Sequence, residues 1–282
     1  MAGTEEFTIE LPDGYRAFAR LWRPAALRGA VLHHHGIQSH SDWYAGSAER
    51  LCDAGYAVLQ CDRRGSGRNE VDRGHAASAD QLIADARAAR DELRRRTGVE
   101  RHHVVGVSWG GKLAVAAYLD HPEGVASLTL VTPGLCPLVG VSKDEAHRIG
   151  VAMIYEPETY FDIPLNEPEM FTVSEKWRAF HATDPRTLTQ CTAAFYLASR
   201  RMDKPILKLG TKPPVPIHLM LAGDERIVDN EKTLDFVTGL GWPDVLVKYY
   251  EGARHSVEFE QPERFYADLT EFVDQQQQAT AL

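Results

Sequence analysis

The chain has 282 residues, of which 44% are hydrophobic and 25% charged, and its formal net charge is -9. This length suits one large domain, or one domain with an insertion, and the composition allows a substantial buried core. A negative chain disfavours nucleic acid and anionic membrane surfaces as partners. No apolar run is long enough to span a membrane and the first residues lack a secretory signal, so we expect a cytoplasmic protein.

Up to residue 132 the predicted elements alternate between strands and helices. The segments 7–11 and 17–22 flank the turn Pro12-Asp13-Gly14, which predicts an antiparallel hairpin. The apolar and helical periodicities then predict strands at 29–34, 56–62, 104–107 and 125–132, and helices at 41–54, 78–97 and 109–120. Such alternation is typical of a mostly parallel sheet covered by helices on both faces.

The alternation stops between residues 133 and 214, where prolines and aromatic residues are scattered among short helix-like pieces. It resumes with strands at 216–222 and 245–250 and helices at 231–240 and 263–273. A polar tail at 275–278 follows, which we expect to be disordered. We therefore predict an α/β fold in which residues 1–132 and 215–282 form the core and residues 133–214 form a helical lid.

Three local patterns invite ligand-binding interpretations that their spacing does not favour. His33, His34 and His35 are consecutive, but neighbours in a strand point to opposite faces and cannot converge on one metal ion. The basic loop at 63–68 lacks the glycine spacing of a phosphate-binding loop, so we expect a turn that ties a strand end to the protein. We predict neither a metal nor an organic cofactor. The cysteines form no Cys-x-x-Cys pair, which suits a reducing compartment: they are Cys52, Cys61, Cys136 and Cys191.

The sequence Gly106-Val107-Ser108-Trp109-Gly110 lies between a predicted strand and a predicted helix. A serine on such a sharp turn is raised above the sheet, and its glycine neighbours must be small because strand and helix nearly touch. The same letters also occur by chance in glycine-rich turns, but here the strand and the helix are both present. We therefore predict that Ser108 is a catalytic nucleophile.

A serine hydroxyl is a weak nucleophile that needs a base, and the base needs an acid to orient it. His255 follows the last predicted strand and precedes the last helix, which predicts that it is the base. The acid is expected at Asp224 or Glu225. Adjacent residues that leave a strand point in roughly opposite directions, so only one of them reaches His255. Asp229 is more simply the cap of the next helix.

Two backbone N–H groups are predicted to form an oxyanion hole, those of Trp109 and of Ile37. Trp109 directly follows Ser108, and Ile37 follows the strand that ends in the turn His35-Gly36. The carboxyl ends of parallel strands share one edge of the sheet, so these groups are expected on one rim beneath the lid. The chain order of serine, acid and histidine is the order of the α/β-hydrolase fold.

Five stretches carry a resemblance to a known group of proteins, in the order of that group and across almost the whole chain. They are His35-Gly36-Ile37-Gln38-Ser39-His40-Ser41, Asp62-Arg63-Arg64-Gly65-Ser66-Gly67, residues 106–111, residues 222–230 and Tyr250-Glu251-Gly252-Ala253-Arg254-His255. Together they resemble the α/β-hydrolases of the monoacylglycerol lipase, lysophospholipase and serine aminopeptidase-like group.

The resemblance implies Ser108 as nucleophile, His255 as base, and Ile37 and Trp109 as oxyanion donors. It places the acid directly before the Arg-Ile-Val run at 226–228, which is Glu225, where members of the group usually carry aspartate. A local shift that uses Asp224 stays open. The chain also departs from the group at Val107, often a histidine, and at Trp109, whose indole we expect to narrow the acyl site.

These observations predict a serine hydrolase that cleaves a carboxylic ester through an acyl-enzyme. The expected substrate is a small-molecule acyl ester with an apolar arm, with monoacylglycerol or lysophospholipid as the first guess. The same triad acting on an amide, a thioester or a C–C bond is the alternative within enzymes. A non-catalytic binding protein with a hydrolase-like fold is the alternative outside them.

Overall fold

A computed structural model describes residues 3–280 and contains ten strands in that range. In chain order they are β1 (Gly3–Glu10), β2 (Arg16–Arg23), β3 (Gly29–His34), β4 (Tyr56–Cys61), β5 (His102–Val107), β6 (Val125–Val131), β7 (Tyr160–Asp162), β8 (Gln190–Thr192), β9 (Ile217–Ala222) and β10 (Val245–Tyr250). Eight of them form one sheet in the order β1-β2-β4-β3-β5-β6-β9-β10.

The sheet is mostly parallel, as the sequence predicts. The hairpin of β1 and β2 is antiparallel and joins β4 in antiparallel fashion, while the pairs from β4 to β10 are all parallel. Strands β3, β5, β6 and β9 are buried along their whole length, which explains why most of their residues are apolar. The predicted α/β class is confirmed.

Helices cover both faces of this sheet. Helices α1 and α10 pack against one face, and α2, α3 and α8 pack against the other. No helix among residues 3–280 is long and apolar enough to cross a membrane. The α-helices are α1 (Ala45–Asp53), α2 (Ala79–Thr97), α3 (Trp109–Asp120), α4 (Lys143–Tyr155), α5 (Glu175–Thr183), α6 (Ala193–Arg201), α7 (Asp203–Ile206), α8 (Asn230–Thr238), α9 (Val257–Glu260) and α10 (Pro262–Thr280).

The expected disorder of the polar tail is wrong. Helix α10 continues through residues 275–278 to Thr280. The physical reason is a tertiary contact, since the Gln277 side chain bonds through Oε1 to Nε2 of the buried His103 at 3.2 Å. A run of glutamines has no apolar face to signal such a contact.

The segment between β6 and β9 carries α4 to α7 and a small antiparallel sheet of β7 and β8, with α5 between the two strands in the chain. It lies over the carboxyl edge of the main sheet, where it bonds to the loops after β3 and β10. The Leu188 N–H donates to the Gln38 carbonyl at 2.9 Å, and the Ser256 N–H donates to the Phe171 carbonyl at 2.9 Å. The division into a core and a lid remains a prediction, but this segment roofs the edge at which the candidate residues meet.

Candidate active site

Ser108 stands on a strained turn between β5 and α3. Its backbone has φ 54° and ψ -122°, a combination that residues other than glycine rarely adopt. The turn is held by hydrogen bonds on both sides, because the Ser108 N–H donates to the Val131 carbonyl at 2.8 Å and the Gly111 N–H donates to the Ser108 carbonyl at 2.9 Å. The strain keeps the hydroxyl at the carboxyl edge of the sheet rather than within it.

The glycines around Ser108 are required by close packing, as the sequence analysis expected. A Cβ on Gly106 would lie 2.6 Å from the Gly110 carbonyl oxygen, and a Cβ on Gly110 would collide with the carbonyl oxygens of His34 and His35. Helix α3 therefore begins in direct contact with the ends of β3 and β5.

His255 reaches the same place from the loop after β10. Its Nδ1 lies 3.0 Å from Oε1 and 2.9 Å from Oε2 of Glu225, and its carbonyl accepts a hydrogen bond from Oγ1 of Thr132 at 3.1 Å. Its Nε2 is buried and has no hydrogen-bond partner among residues 3–280. His255 and Ser108 line the same cavity, so this nitrogen is available to the serine and to whatever binds it.

Glu225 is held as rigidly as the ring that it contacts. Its Oε1 accepts the backbone N–H groups of Arg226 at 2.9 Å and Ile227 at 2.8 Å, and its side chain is only 2% exposed. Burial alone would raise the pKa of Glu225, but the His255 ring and these N–H donors bring the pKa below its ordinary value. The group is therefore a carboxylate at neutral pH, with its charge directed at Nδ1.

Asp224, the other candidate acid, faces away from His255. Its Oδ2 lies 3.2 Å from Nε of Arg254 and 3.2 Å from a terminal nitrogen of Arg226, and its side chain is 46% exposed. Asp229 caps α8, as expected, by accepting the Lys232 N–H at 3.0 Å. Of the three acids considered, the structure brings only Glu225 to the histidine.

The N–H groups of Ile37 and Trp109 belong to two turns that meet at Ser108. Ile37 lies in the turn after β3, and Trp109 directly follows Ser108. Neither donates a hydrogen bond within the described part of the chain. Trp109 is the first residue of α3, where helix N–H groups are unpaired and the helix dipole favours negative charge. A Cβ on Gly36 would lie 3.4 Å from Cβ of Ser108, so the turn that carries the Ile37 N–H is in contact with the serine.

Arg63 and His35 hold the far side of this turn, a role that the sequence analysis did not assign. Arg63 donates to the Gly36 carbonyl at 3.3 Å and to the Ile37 carbonyl at 2.8 Å. The Arg63 N–H donates to Nε2 of His35 at 2.9 Å, so the neutral ring carries its proton on Nδ1, which bonds the Gly36 carbonyl at 2.8 Å. Because C=O and N–H are opposed in a trans peptide, holding the Gly36 carbonyl points the Ile37 N–H away from Arg63 and His35.

The Arg63 guanidinium is itself enclosed by aromatic rings. It lies 4.7 Å from the ring centre of Trp109 and 5.2 Å from that of Phe195, and burial lowers its pKa to about 10. The Trp109 indole donates to Oγ of Ser199 at 2.9 Å. The residue after Ser108 thus packs on α6 of the roofing segment. The sequence contained one indication of this role. Because β3 and β4 are neighbouring parallel strands, the loop after β4, which carries Arg63, must meet the loop after β3.

Two cavities meet at Ser108 and Ile37. The first, which we call the small cavity, is narrow and is lined by His255 and by aromatic and polar residues that include Tyr44, Phe171 and Phe259. The second, the large cavity, has about 1150 Å³ and extends past Trp109 beneath the roofing segment. Residues 3–280 contain no group of three histidine, cysteine, aspartate or glutamate side chains arranged to hold a metal ion.

A serine on a strained strand-to-helix turn, at the carboxyl edge of a mostly parallel sheet, defines the class of α/β-hydrolases. Residues 25–262 match the family model described as serine aminopeptidase, S33. The chain therefore belongs to that family.

Relatives in this family act on different bonds. The chain is 24% identical to human monoglyceride lipase over 260 residues, which cover 89% of this chain and 83% of that one. It is 27% identical to the proline iminopeptidase of Levilactobacillus brevis over 198 residues, or 67% and 62% of the two chains. The match to the putative carbamate hydrolase RutD of Variovorax paradoxus covers 54% of that protein. The chain therefore spans less than two thirds of the length of this relative and of the iminopeptidase.

A solved structure supports the fold independently. The crystal structure of a monoacylglycerol lipase from Paleococcus ferrophilus superposes with a TM-score of 0.83 and covers 93% of this chain and 100% of that one. The sequences are 19% identical, so this likeness establishes the fold and leaves the substrate open.

The geometry of the two acids generates a direct test. We expect Glu225→Gln to lower kcat for p-nitrophenyl butyrate by about 10²–10⁴-fold, because an amide next to Nδ1 no longer holds the ring in the required tautomer. Asp224→Asn is the matched control and is expected to keep kcat within about twofold, since Asp224 is half-exposed and its ion pairs with Arg226 and Arg254 do not include His255. Equal losses in the two variants would contradict the assignment.

Proposed function

We propose that the protein is a serine hydrolase that cleaves carboxylic esters, with Ser108 as nucleophile, His255 as base and Glu225 as the orienting acid. The observation that carries the proposal is the free Nε2 of His255, which lines the same cavity as Ser108 while Glu225 holds Nδ1. The chain order of these groups and the cavity that Ser108 and His255 share support nucleophilic catalysis by serine.

In the proposed first half-reaction, Oγ of Ser108 attacks the ester carbonyl carbon and its proton passes to Nε2 of His255. The carbonyl oxygen becomes an oxyanion, which the N–H groups of Ile37 and Trp109 stabilise. The carbon–oxygen bond to the alcohol then breaks, and the alcohol leaves with the proton from His255. Glu225 stabilises the imidazolium throughout, and the mechanism calls for no metal or organic cofactor.

In the second half-reaction, water attacks the acyl-enzyme. His255 takes a proton from the water, and the oxyanion forms again between the same N–H groups. The bond between the acyl carbon and Oγ of Ser108 then breaks, His255 returns the proton to Oγ, and the carboxylic acid is released. Both halves use the same three side chains, so one arrangement of the site serves acylation and deacylation.

The two cavities suggest how the substrate lies. The leaving alcohol must approach the proton on His255, which lines the small cavity and not the large one. We therefore propose that the alcohol occupies the small cavity, which has polar groups suited to a glycerol-like alcohol, and that the acyl chain occupies the large cavity. Residues 133–214 would then act as the lid that decides which acyl chains enter. Monoacylglycerol and lysophospholipid fit this arrangement.

Amide cleavage is the second candidate, because the family model describes an aminopeptidase and one relative is a proline iminopeptidase. The ester assignment is favoured by human monoglyceride lipase, whose match spans most of both chains. A small-molecule ester also needs no binding site for a peptide beyond the two cavities.

The proposed function is tested with a panel of p-nitrophenyl esters of increasing chain length, monoacylglycerols and aminoacyl amides. We expect the wild-type protein to hydrolyse the esters and Ser108→Ala to lose turnover by about 10⁴-fold or more, because the nucleophile is absent. Faster turnover of the aminoacyl amides than of the esters would replace the ester proposal by the amide one. Equal ester turnover in wild type and Ser108→Ala would refute both.

A variant of Arg63 tests whether this side chain positions the Ile37 N–H as an oxyanion donor. Arg63→Met keeps an apolar chain between the rings of Trp109 and Phe195 but removes both donors to the Gly36–Ile37 turn. We expect kcat for p-nitrophenyl butyrate to fall about 10–100-fold with KM changed much less, because the Ile37 N–H is then free to turn from the oxyanion. A loss confined to KM, at an unchanged unfolding midpoint, would show that Arg63 does not position that donor.

A further inference from the structure

The large cavity changes character along its length. Beside Ser108 its walls are apolar, formed by Val139, Val141, Ile163, Leu165, Ile227 and Val228. The wall also carries charged residues, which are Lys112, one turn along α3 from Trp109, Arg200 of α6 and Asp203 of α7. A purely apolar acyl chain has no use for that part of the cavity.

Only one of the two cations in this wall is neutralised. Lys112 is buried, and its Nζ lies 2.5 Å from Oδ1 of Asp203. The guanidinium of Arg200 makes no hydrogen bond, ion pair or ring contact with any residue in the described range. Among residues 3–280, Asp203 is the single carboxylate that lines the cavity, so these side chains leave an excess of positive charge there in a chain whose net charge is -9.

An arginine with free N–H groups at the wall of a cavity binds anionic oxygens well, because its planar fork matches a carboxylate or phosphate. Arg201 offers an internal comparison. It follows Arg200 at the same end of α6, and both side chains are exposed, but Arg201 does not line the cavity. The placement of Arg200 is therefore specific to the cavity and is not a property of the helix end alone.

We propose that the large cavity binds acyl chains that end in an anionic group, so that the preferred substrates are esters whose acyl part carries a terminal carboxylate or a similar oxygen acid. The apolar walls contact the methylene chain, and Arg200 pairs with the terminal anion. Asp203 holds Lys112 in place beside it. This inference rests on the proposed ester hydrolysis and on the acyl chain occupying the large cavity.

The test compares two esters that share a leaving group and have similar shapes, mono-p-nitrophenyl adipate and p-nitrophenyl heptanoate. The first ends in a carboxylate and the second in a methyl group. Release of p-nitrophenol is followed for wild type, Arg200→Gln and Arg201→Gln, with Ser108→Ala as the blank for spontaneous hydrolysis. We expect Arg200→Gln to lower kcat/KM for the adipate relative to the heptanoate by about tenfold, mainly through KM.

Arg201→Gln, which removes the same charge outside the cavity, is expected to leave that ratio within about twofold of wild type. Added salt should reduce the wild-type ratio, since it screens a partly exposed ion pair. If both esters are hydrolysed and Arg200→Gln and Arg201→Gln change the ratio equally, the inference is wrong while the proposed function stands.

A third ester, 4-carboxyphenyl acetate, carries its charge on the alcohol half. If Arg200→Gln changed its KM and left that of the adipate unaltered, the anion would belong to the alcohol, and the proposal for the acyl chain would be overturned. If no ester of the set were hydrolysed by the wild-type protein, the proposed function itself would fail together with the inference.

Discussion

The close approach of α3 to the ends of β3 and β5 is the constraint on which the rest of the site depends. Gly106 and Gly110 leave no room for a Cβ, and the chain passes between them only if Ser108 adopts φ 54°. The same approach directs the unpaired N–H of Trp109 into the site and presses the turn at Gly36 against the serine. The backbone strain, the proposed nucleophile and the proposed oxyanion donors therefore have a common origin in one tight strand-to-helix turn.

Glu225 and the turn at Gly36 are not part of this strand-to-helix turn, and hydrogen bonds from residues outside the cavity between Ser108 and His255 position them. Glu225 is one methylene longer than the usual aspartate, and it folds back onto the N–H groups of Arg226 and Ile227. This fixes its carboxylate, so the extra length adds little freedom at His255. Arg63 does the same for the turn at Gly36, at the expense of burying a cation, which the rings of Trp109 and Phe195 partly offset.

Much of this arrangement can be predicted from the sequence because it is encoded locally. The motif around Ser108 specifies a backbone geometry, and His255 lies in a loop whose place follows from strand order. The sequence alone does not decide whether Asp224 or Glu225 contacts His255, because that depends on the direction in which the loop turns after β9. Arg63 and Gln277 act through tertiary contacts across 26 and 174 residues of chain, and no local pattern reports those.

The account depends most on Ser108 being an activated nucleophile, and labelling by a fluorophosphonate probe tests that directly. The folded protein is incubated with the probe, its intact mass is measured and the modified peptide is sequenced. We expect one adduct, on Ser108, that forms in the native state and is absent after denaturation in urea. An adduct on another residue, or a folded wild-type protein that is not labelled at all, would contradict the account.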